Sequence, residues 1–122
     1  MTATILIVED DPPTTMLLET LVQRYGYASE TAPNGQVAIE LLGRREFDAV
    51  ILDLMMPNVG GAEVIDFLAG QDNPVPVIVC TAAGPHRTAD LDARVVRAVV
   101  RKPFDIETLM ETVAELTGKR LA

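Results

Sequence analysis

The chain has 122 residues, 48% of them hydrophobic, and carries 10 Lys and Arg against 18 Asp and Glu for a formal charge of −8. That composition suits one domain around one core, and with basic residues no denser than pairs such as Arg44-Arg45 it disfavours direct nucleic-acid contact. One Cys excludes an intrachain disulfide framework, and with no signal-peptide pattern and no membrane-length apolar run the expectation is a soluble, cytoplasmic protein.

Thr4–Val8 predicts a first strand that runs into Glu9 and Asp10. A first helix follows, with Asp11 as N-cap and Pro12 at the first helical position, where a missing N–H costs nothing. Leu17, Leu21 and Tyr25, with Leu18 and Val22, form its apolar stripe, and Gly26 closes it in the left-handed conformation. Tyr27–Ala32 is a short second strand. Asn34-Gly35 opens a second helix with Val37, Ala38, Leu41 and Leu42 inward, ending at Gly43. Ala49–Leu52 is the third strand and stops at Asp53. Gly60-Gly61 leads into a third helix that turns Val64, Ile65 and Leu68 inward, and Pro76–Cys80 is the fourth strand.

Leu91 and Val95 predict a short fourth helix within Gly84–Arg97, and Ala98–Val100 a fifth strand. Asp105 caps a fifth helix with Ile106, Leu109, Met110, Val113 and Leu116 on one side. Strict alternation of strand and helix over a single domain, with continuously apolar central strands, predicts an α/β fold with a parallel sheet covered on both faces.

The carboxyl ends of parallel strands share one edge, so Glu9, Asp10, Asp53, Thr81 and Lys102 converge there. Three carboxylates in a poorly solvated corner repel one another, and Mg²⁺ together with Lys102 would balance them. Direct ligation is assigned to Asp10 and Asp53, water-mediated ligation to Glu9, and the carbonyl of Met55 is a candidate third protein ligand. Asp11 is assigned to capping. For Asp10 by itself capping and ligation stand close, and the company of Asp53 and Lys102 favours ligation. An Asp in this setting can attack phosphorus to form an aspartyl-phosphate. The cation would then hold one phosphoryl oxygen, Lys102 a second, and Thr81 with nearby backbone N–H groups the third. Pro103 is a candidate cis-proline whose tight turn would aim Lys102 inward.

Ile5-Leu6-Ile7-Val8-Glu9-Asp10-Asp11, Asp53-Leu54-Met55-Met56-Pro57, Thr81-Ala82 and Lys102-Pro103-Phe104, in this order and spacing, resemble the response-regulator receiver domain of two-component signalling. The likeness is to the chemotaxis-regulator type and covers essentially all of residues 1–122, with no output domain. The resemblance implies a flavodoxin-like (βα)5 doubly wound sheet with strand order 2-1-3-4-5. It implies that a histidine kinase or histidine phosphotransfer protein supplies the phosphoryl group to Asp53. It further implies that Thr81, Ala82 and Lys102 bind phosphate and couple it to a surface made by the fourth helix, fifth strand and fifth helix, which addresses a downstream protein target. The only chemistry would be self-phosphorylation and self-dephosphorylation, by a monomer or weak dimer, away from membranes and nucleic acid.

Two positions depart from the family pattern. Val99 stands where an aromatic residue often swings inward on activation, and Val95-Val96 replaces a common Gly-Ala. Other residues read as structural: His86 as an exposed loop residue, Cys80 as a buried small hydrophobe, and Met16, Met56 and Met110 as packing. Met55 and Ala83 flank the expected path of a hydrolytic water, and their apolar character would slow dephosphorylation. Two alternatives compete: a phosphohydrolase with an Asp nucleophile, for which the chain is too short to supply a lid, and a phosphorylation-independent pseudo-receiver.

Overall fold

The computed structural model describes residues 2–56, 60–82, 84, 88 and 90–118. Five parallel strands are β1 (Thr4–Val8), β2 (Ala28–Ala32), β3 (Ala49–Leu52), β4 (Val77–Thr81) and β5 (Val96–Arg101), arranged β2-β1-β3-β4-β5. Four helices are bounded among the described residues: α1 (Pro12–Arg24), α2 (Gly35–Arg44), α3 (Gly61–Ala69) and α4 (Ile106–Thr117).

Alternate residues along each central strand feed two separate cores, as the period-2 geometry of a strand requires. On one face Ile5, Ile7, Ile51, Ile78 and Cys80 pack with Leu18, Leu21 and Val22 of α1 and Leu109, Met110 and Val113 of α4. On the other face Leu6, Val8, Val50, Leu52, Val77 and Val79 pack with Ala38 of α2 and Val64, Ile65 and Leu68 of α3. The sheet is thus doubly wound, which explains why β1, β3 and β4 read as unbroken apolar runs. Nothing polar in those strands has to face water.

Local chemistry sets the ends of the helices. The Asp11 carboxylate accepts the Thr14 N–H at 3.2 Å, and Pro12 occupies the first position of α1. Gly26 follows α1 at φ 91°, a conformation that needs no Cβ. Asn34 accepts the Val37 N–H at 2.9 Å and caps α2. Asp105 begins α4 through the Thr108 hydroxyl at 2.7 Å rather than through a backbone amide.

The molecule differs from the expectation in five places, the first being Met16, which is 68% exposed on α1 rather than packed. Leu17 is 47% exposed, because at 100° per residue it falls about 40° outside the arc bounded by Leu21. Ile106 is 41% exposed: it has the right azimuth, but side chains lean toward the helix N-terminus and a first-turn residue is carried past the core. β5 begins at Val96, two residues earlier than expected, and its register shifts where Val77 pairs with Val96 and Ile78 with Ala98. Leu91 and Val95 are not helical. Val95 and Val96 both donate to the Asp92 carbonyl, closing a turn into β5 that buries Val95 in the core. The rest of the expected fourth helix falls largely on residues 83, 85–87 and 89, outside the described residues.

A Cβ added at Gly43, inside α2, would meet nothing within 4 Å. Gly43→Ala is therefore expected to stabilise the domain by about 0.5–1 kcal/mol in denaturant melts. Leu109→Ala, which empties a fully buried site between α4 and the sheet, is expected to cost about 2–5 kcal/mol.

Candidate functional site

The sheet ladder continues for one residue beyond β1 and β3, and that residue is in each case a carboxylate. Glu9 donates its N–H to the Ala32 carbonyl at 3.1 Å, and Asp53 donates its N–H to the Val8 carbonyl at 3.0 Å. Lys102, the first residue after β5, donates its N–H to the Thr81 carbonyl at 3.0 Å. Backbone positions of Glu9, Asp53 and Lys102 are thus fixed by the same hydrogen bonds that hold the sheet together. The register Val8↔Leu52 and Thr81↔Arg101 sets these ends side by side.

The side chains close over the carboxyl edge. Lys102 Nζ lies 2.5 Å from Glu9 Oε1 and 3.3 Å from Asp53 Oδ2. Glu9 is 3% exposed and Asp53 8%, whereas Asp10 is exposed. Ligand oxygens of Glu9, Asp10 and Asp53 all lie within 4.8 Å of one another. Asp53 Oδ1 also accepts the Met55 N–H at 3.0 Å, which curls the chain after β3 back onto the carboxylate. The Asp10 N–H donates to Glu9 Oε2 at 3.1 Å.

Among the described residues, three carboxylates face one ammonium at this corner. Burial, opposed by the Lys102 hydrogen bond and reinforced by Asp53, pushes the Glu9 carboxyl from 4.5 up to about 7. Burial pulls the Lys102 ammonium down, but its hydrogen bond to Glu9 and the charges of Asp53 and Glu9 outweigh that and hold its pKa above the usual 10.5. Burial likewise raises the Cys80 thiol to about 11, which leaves it protonated and unreactive at neutral pH. A hard, oxygen-only donor set with excess negative charge has the chemistry of a Mg²⁺ or similar divalent site.

Thr81 ends β4 with its side chain fully buried, and Ala82 beside it is exposed. Met55 is 53% exposed at the rim. The Lys102–Pro103 peptide bond is cis. Val99 sits on β5 and is exposed, as are Arg97 and Arg101 at alternate positions. Pro57, Ala83 and His86 lie outside the described residues.

Some features had no signal in apolar periodicity. A cleft of about 340 Å³ opens beside Glu9 and Asp10, walled by Pro12, Thr15, Met16, Ala32 and Pro33. The Thr15 hydroxyl donates to the Glu9 carbonyl at 3.3 Å and ties α1 to the acid pair. Gly61 packs against the Asp53–Leu54 backbone. A hydroxyl four residues after a helix cap is a weak hint at most, and close backbone approach leaves no trace in hydropathy.

Among the described residues no helix is long and apolar enough to cross a membrane. The family model described as the response regulator receiver domain matches residues 5–114. The transcriptional regulatory protein TcrA of Mycobacterium tuberculosis is 34% identical over 117 residues, 94% of this chain and 46% of TcrA. The response regulator MprA of Mycobacterium sp. strain KMS is 35% identical over 118 residues, 95% of this chain and 51% of MprA. The chain therefore spans about half the length of these curated relatives. Among solved structures, the response regulator TrrA of Thermotoga maritima, in complex with Mg²⁺–BeF, superposes with a TM-score of 0.86 at 33% identity, covering 94% of this chain and 99% of that one. Parallel strands in the order 2-1-3-4-5, acids at the ends of β1 and β3, and a family match over nearly the whole chain converge on one conclusion: this chain belongs to the response regulator receiver domain family.

Proposed function

We propose that Asp53 accepts a phosphoryl group from a phosphohistidine on a histidine kinase or histidine phosphotransfer protein, and that the added charge switches a surface read by a protein target. The observation that carries this is the buried Asp53 carboxylate at a strand end, with Glu9, Asp10 and Lys102 around it. An Asp53 oxygen attacks phosphorus, forming the acyl-phosphate P–O bond as the P–N bond to the donor imidazole breaks and the imidazole leaves. Asp10 and Asp53 would hold Mg²⁺ directly, with the Met55 carbonyl, and Glu9 would act through water. When bound, the cation supplies charge neutralisation and a fixed site for one phosphoryl oxygen.

Lys102 stands between Glu9 and Asp53, close enough to follow a phosphoryl oxygen as charge builds on it. Thr81 is fully buried at the end of β4, and its hydroxyl would take a phosphoryl oxygen as that strand end shifts toward Asp53. That shift is the switch in this reading. Its output face is the segment after β4, with β5 and α4. The acidic balance of the chain directs this domain toward protein partners rather than nucleic acid. The chemistry is confined to gain and loss of its own phosphoryl group, with Met55 and Ala83 slowing the loss.

Incubation with Mg²⁺ and acetyl phosphate is expected to add one phosphoryl group by intact mass, and Asp53→Asn to abolish it. A group that persists in Asp53→Asn, or turnover of phosphorylated metabolites, would reject the assignment. Lys102→Ala is expected to be phosphorylated still, yet to lose the amide-shift changes across Val96–Arg101 that beryllofluoride induces in the wild type. Equal shifts in both proteins would contradict the coupling role.

The pH dependence follows from the raised Glu9 pKa. The folded state keeps a proton that the unfolded chain releases, so metal-free stability from this group falls as pH rises between 4.5 and about 7. Metal displaces that proton, so apparent Mg²⁺ affinity is expected to rise roughly tenfold between about pH 6 and about pH 8. In Glu9→Gln the rise should be much smaller. Calorimetric titration at several pH values measures both, and an equal rise in the two proteins would remove Glu9 from the account.

A further inference from the structure

We propose that Gly61 is a positioning residue for the acceptor site: its missing side chain lets the start of α3 lie directly on the Asp53–Leu54 backbone and so sets where the Asp53 carboxylate stands. The inference rests on the assignment of Asp53 as phosphoacceptor and names a residue that controls it without touching substrate.

A Cβ at Gly61 would stand 2.8 Å from the Asp53 carbonyl oxygen, 2.8 Å from Leu54 Cα and 3.0 Å from Leu54 Cδ2. The first two are backbone atoms and cannot rotate aside, so a single methyl must move the chain at Asp53. The adjacent Gly60 is different. A Cβ there would meet Glu63 Oε2 and the Met56 carbonyl at 3.5 Å and the Leu54 carbonyl at 3.7 Å, which is ordinary contact. The steric demand belongs to position 61 alone.

Both flanks of this contact are anchored. Val64, Ile65 and Leu68 fix α3 in the core, and Glu63 accepts the Gly60 N–H at 2.9 Å. On the other side Asp53 is tied to the Val8 carbonyl at 3.0 Å. A displacement therefore falls on the turn between them, where Asp53 Oδ1 accepts the Met55 N–H at 3.0 Å and Lys102 Nζ stands 3.3 Å from Asp53 Oδ2. The first has an ordinary hydrogen-bond length and the second is already long, so a shift of the turn weakens the first and readily breaks the second. Misplacing a nucleophile by about 1 Å costs up to about 10²-fold in rate.

Gly60→Ala and Gly61→Ala are made in the Gly43→Ala background, which adds a margin of stability. Hydrogen exchange in metal-free protein is the first readout. Protection of the Met55 amide is expected to fall at least about tenfold in Gly61→Ala relative to Gly60→Ala, while the Ile7 and Ile51 amides in the core stay protected. The second readout is the initial rate with acetyl phosphate and Mg²⁺, expected to fall about tenfold or more in Gly61→Ala and to stay within about twofold in Gly60→Ala. Unchanged Met55 protection in Gly61→Ala overturns the proposal, as does an unchanged rate while the parent and Gly60→Ala react normally. If the parent takes no phosphoryl group, the Asp53 assignment falls instead, and the amide measurement alone decides for or against Gly61. If Gly61→Ala does not fold, Leu54→Ala/Gly61→Ala relieves the side-chain contact and keeps the backbone ones. Met55 protection equal to that of Leu54→Ala would then overturn the proposal.

Discussion

A single ammonium, Lys102, stands against the carboxylates of Glu9 and Asp53 at the edge of the sheet, with Asp10 just beyond. Removing one member of such a set leaves a charge without compensation in a poorly solvated place, which costs far more than the pair gains by forming. The Glu9 carboxyl holds a proton up to about pH 7 despite the lysine beside it. Burial is the main cause of that shift and the Asp53 charge adds to it, and a divalent cation bound there would compete with the proton. Further negative charge at Asp53 would then need compensation by cations.

Topology is what brings those charges together. β1 and β3 are central neighbours, and each carries its acid one residue past its last core side chain. Val8 and Leu52 are fully or almost fully buried, while Asp53 after one and Glu9 after the other are held at the same level by a ladder hydrogen bond. Two cores, one on each face, clamp the strands and leave their ends little freedom to relax away from the repulsion. Rigidity of this kind gives the Asp53 carboxylate a fixed geometry, which the proposed attack on phosphorus would need.

The same reasoning explains what the amino-acid sequence made legible. β1, β3 and β4 announce themselves because both faces are covered and all their residues but Thr4 and Thr81 are apolar; their terminal acids and Thr81 follow by register. The caps at Asp11 and Asn34 and the left-handed Gly26 were equally plain, because each is a local interaction among a few residues. β5 was harder. It is an edge strand with alternating exposure and a register shift, so Val96 and Arg97 carry a mixed pattern that resembles a helix end as much as a strand start. Leu17 and Ile106 were misplaced for a different reason: apolar character fixes an azimuth only to within a residue, and the limits of the core decide the rest. Gly61 was legible merely as the lead into the third helix. What it does depends on backbone atoms of Asp53 and Leu54, which hydropathy does not register.

Val99 constrains how any signal leaves the site. An aliphatic side chain has no ring to rotate between a buried and an exposed position, and Val99 is already 37% exposed on β5. In the proposed reading, a movement at Thr81 would travel by backbone. Thr81 pairs with Arg101, and its carbonyl accepts the Lys102 N–H, so pulling the end of β4 toward Asp53 draws the end of β5 with it. Arg101 in turn donates to the Thr88 hydroxyl at 3.0 Å, which connects the same strand end to the segment that follows β4. Displacement of two strand ends through hydrogen bonds is stiff and short-ranged, whereas an aromatic rotor is soft and large in amplitude. In the proposed reading, a partner would sense this domain at the β5 edge near Arg97, Val99 and Arg101, the strand end joined to β4 by those hydrogen bonds.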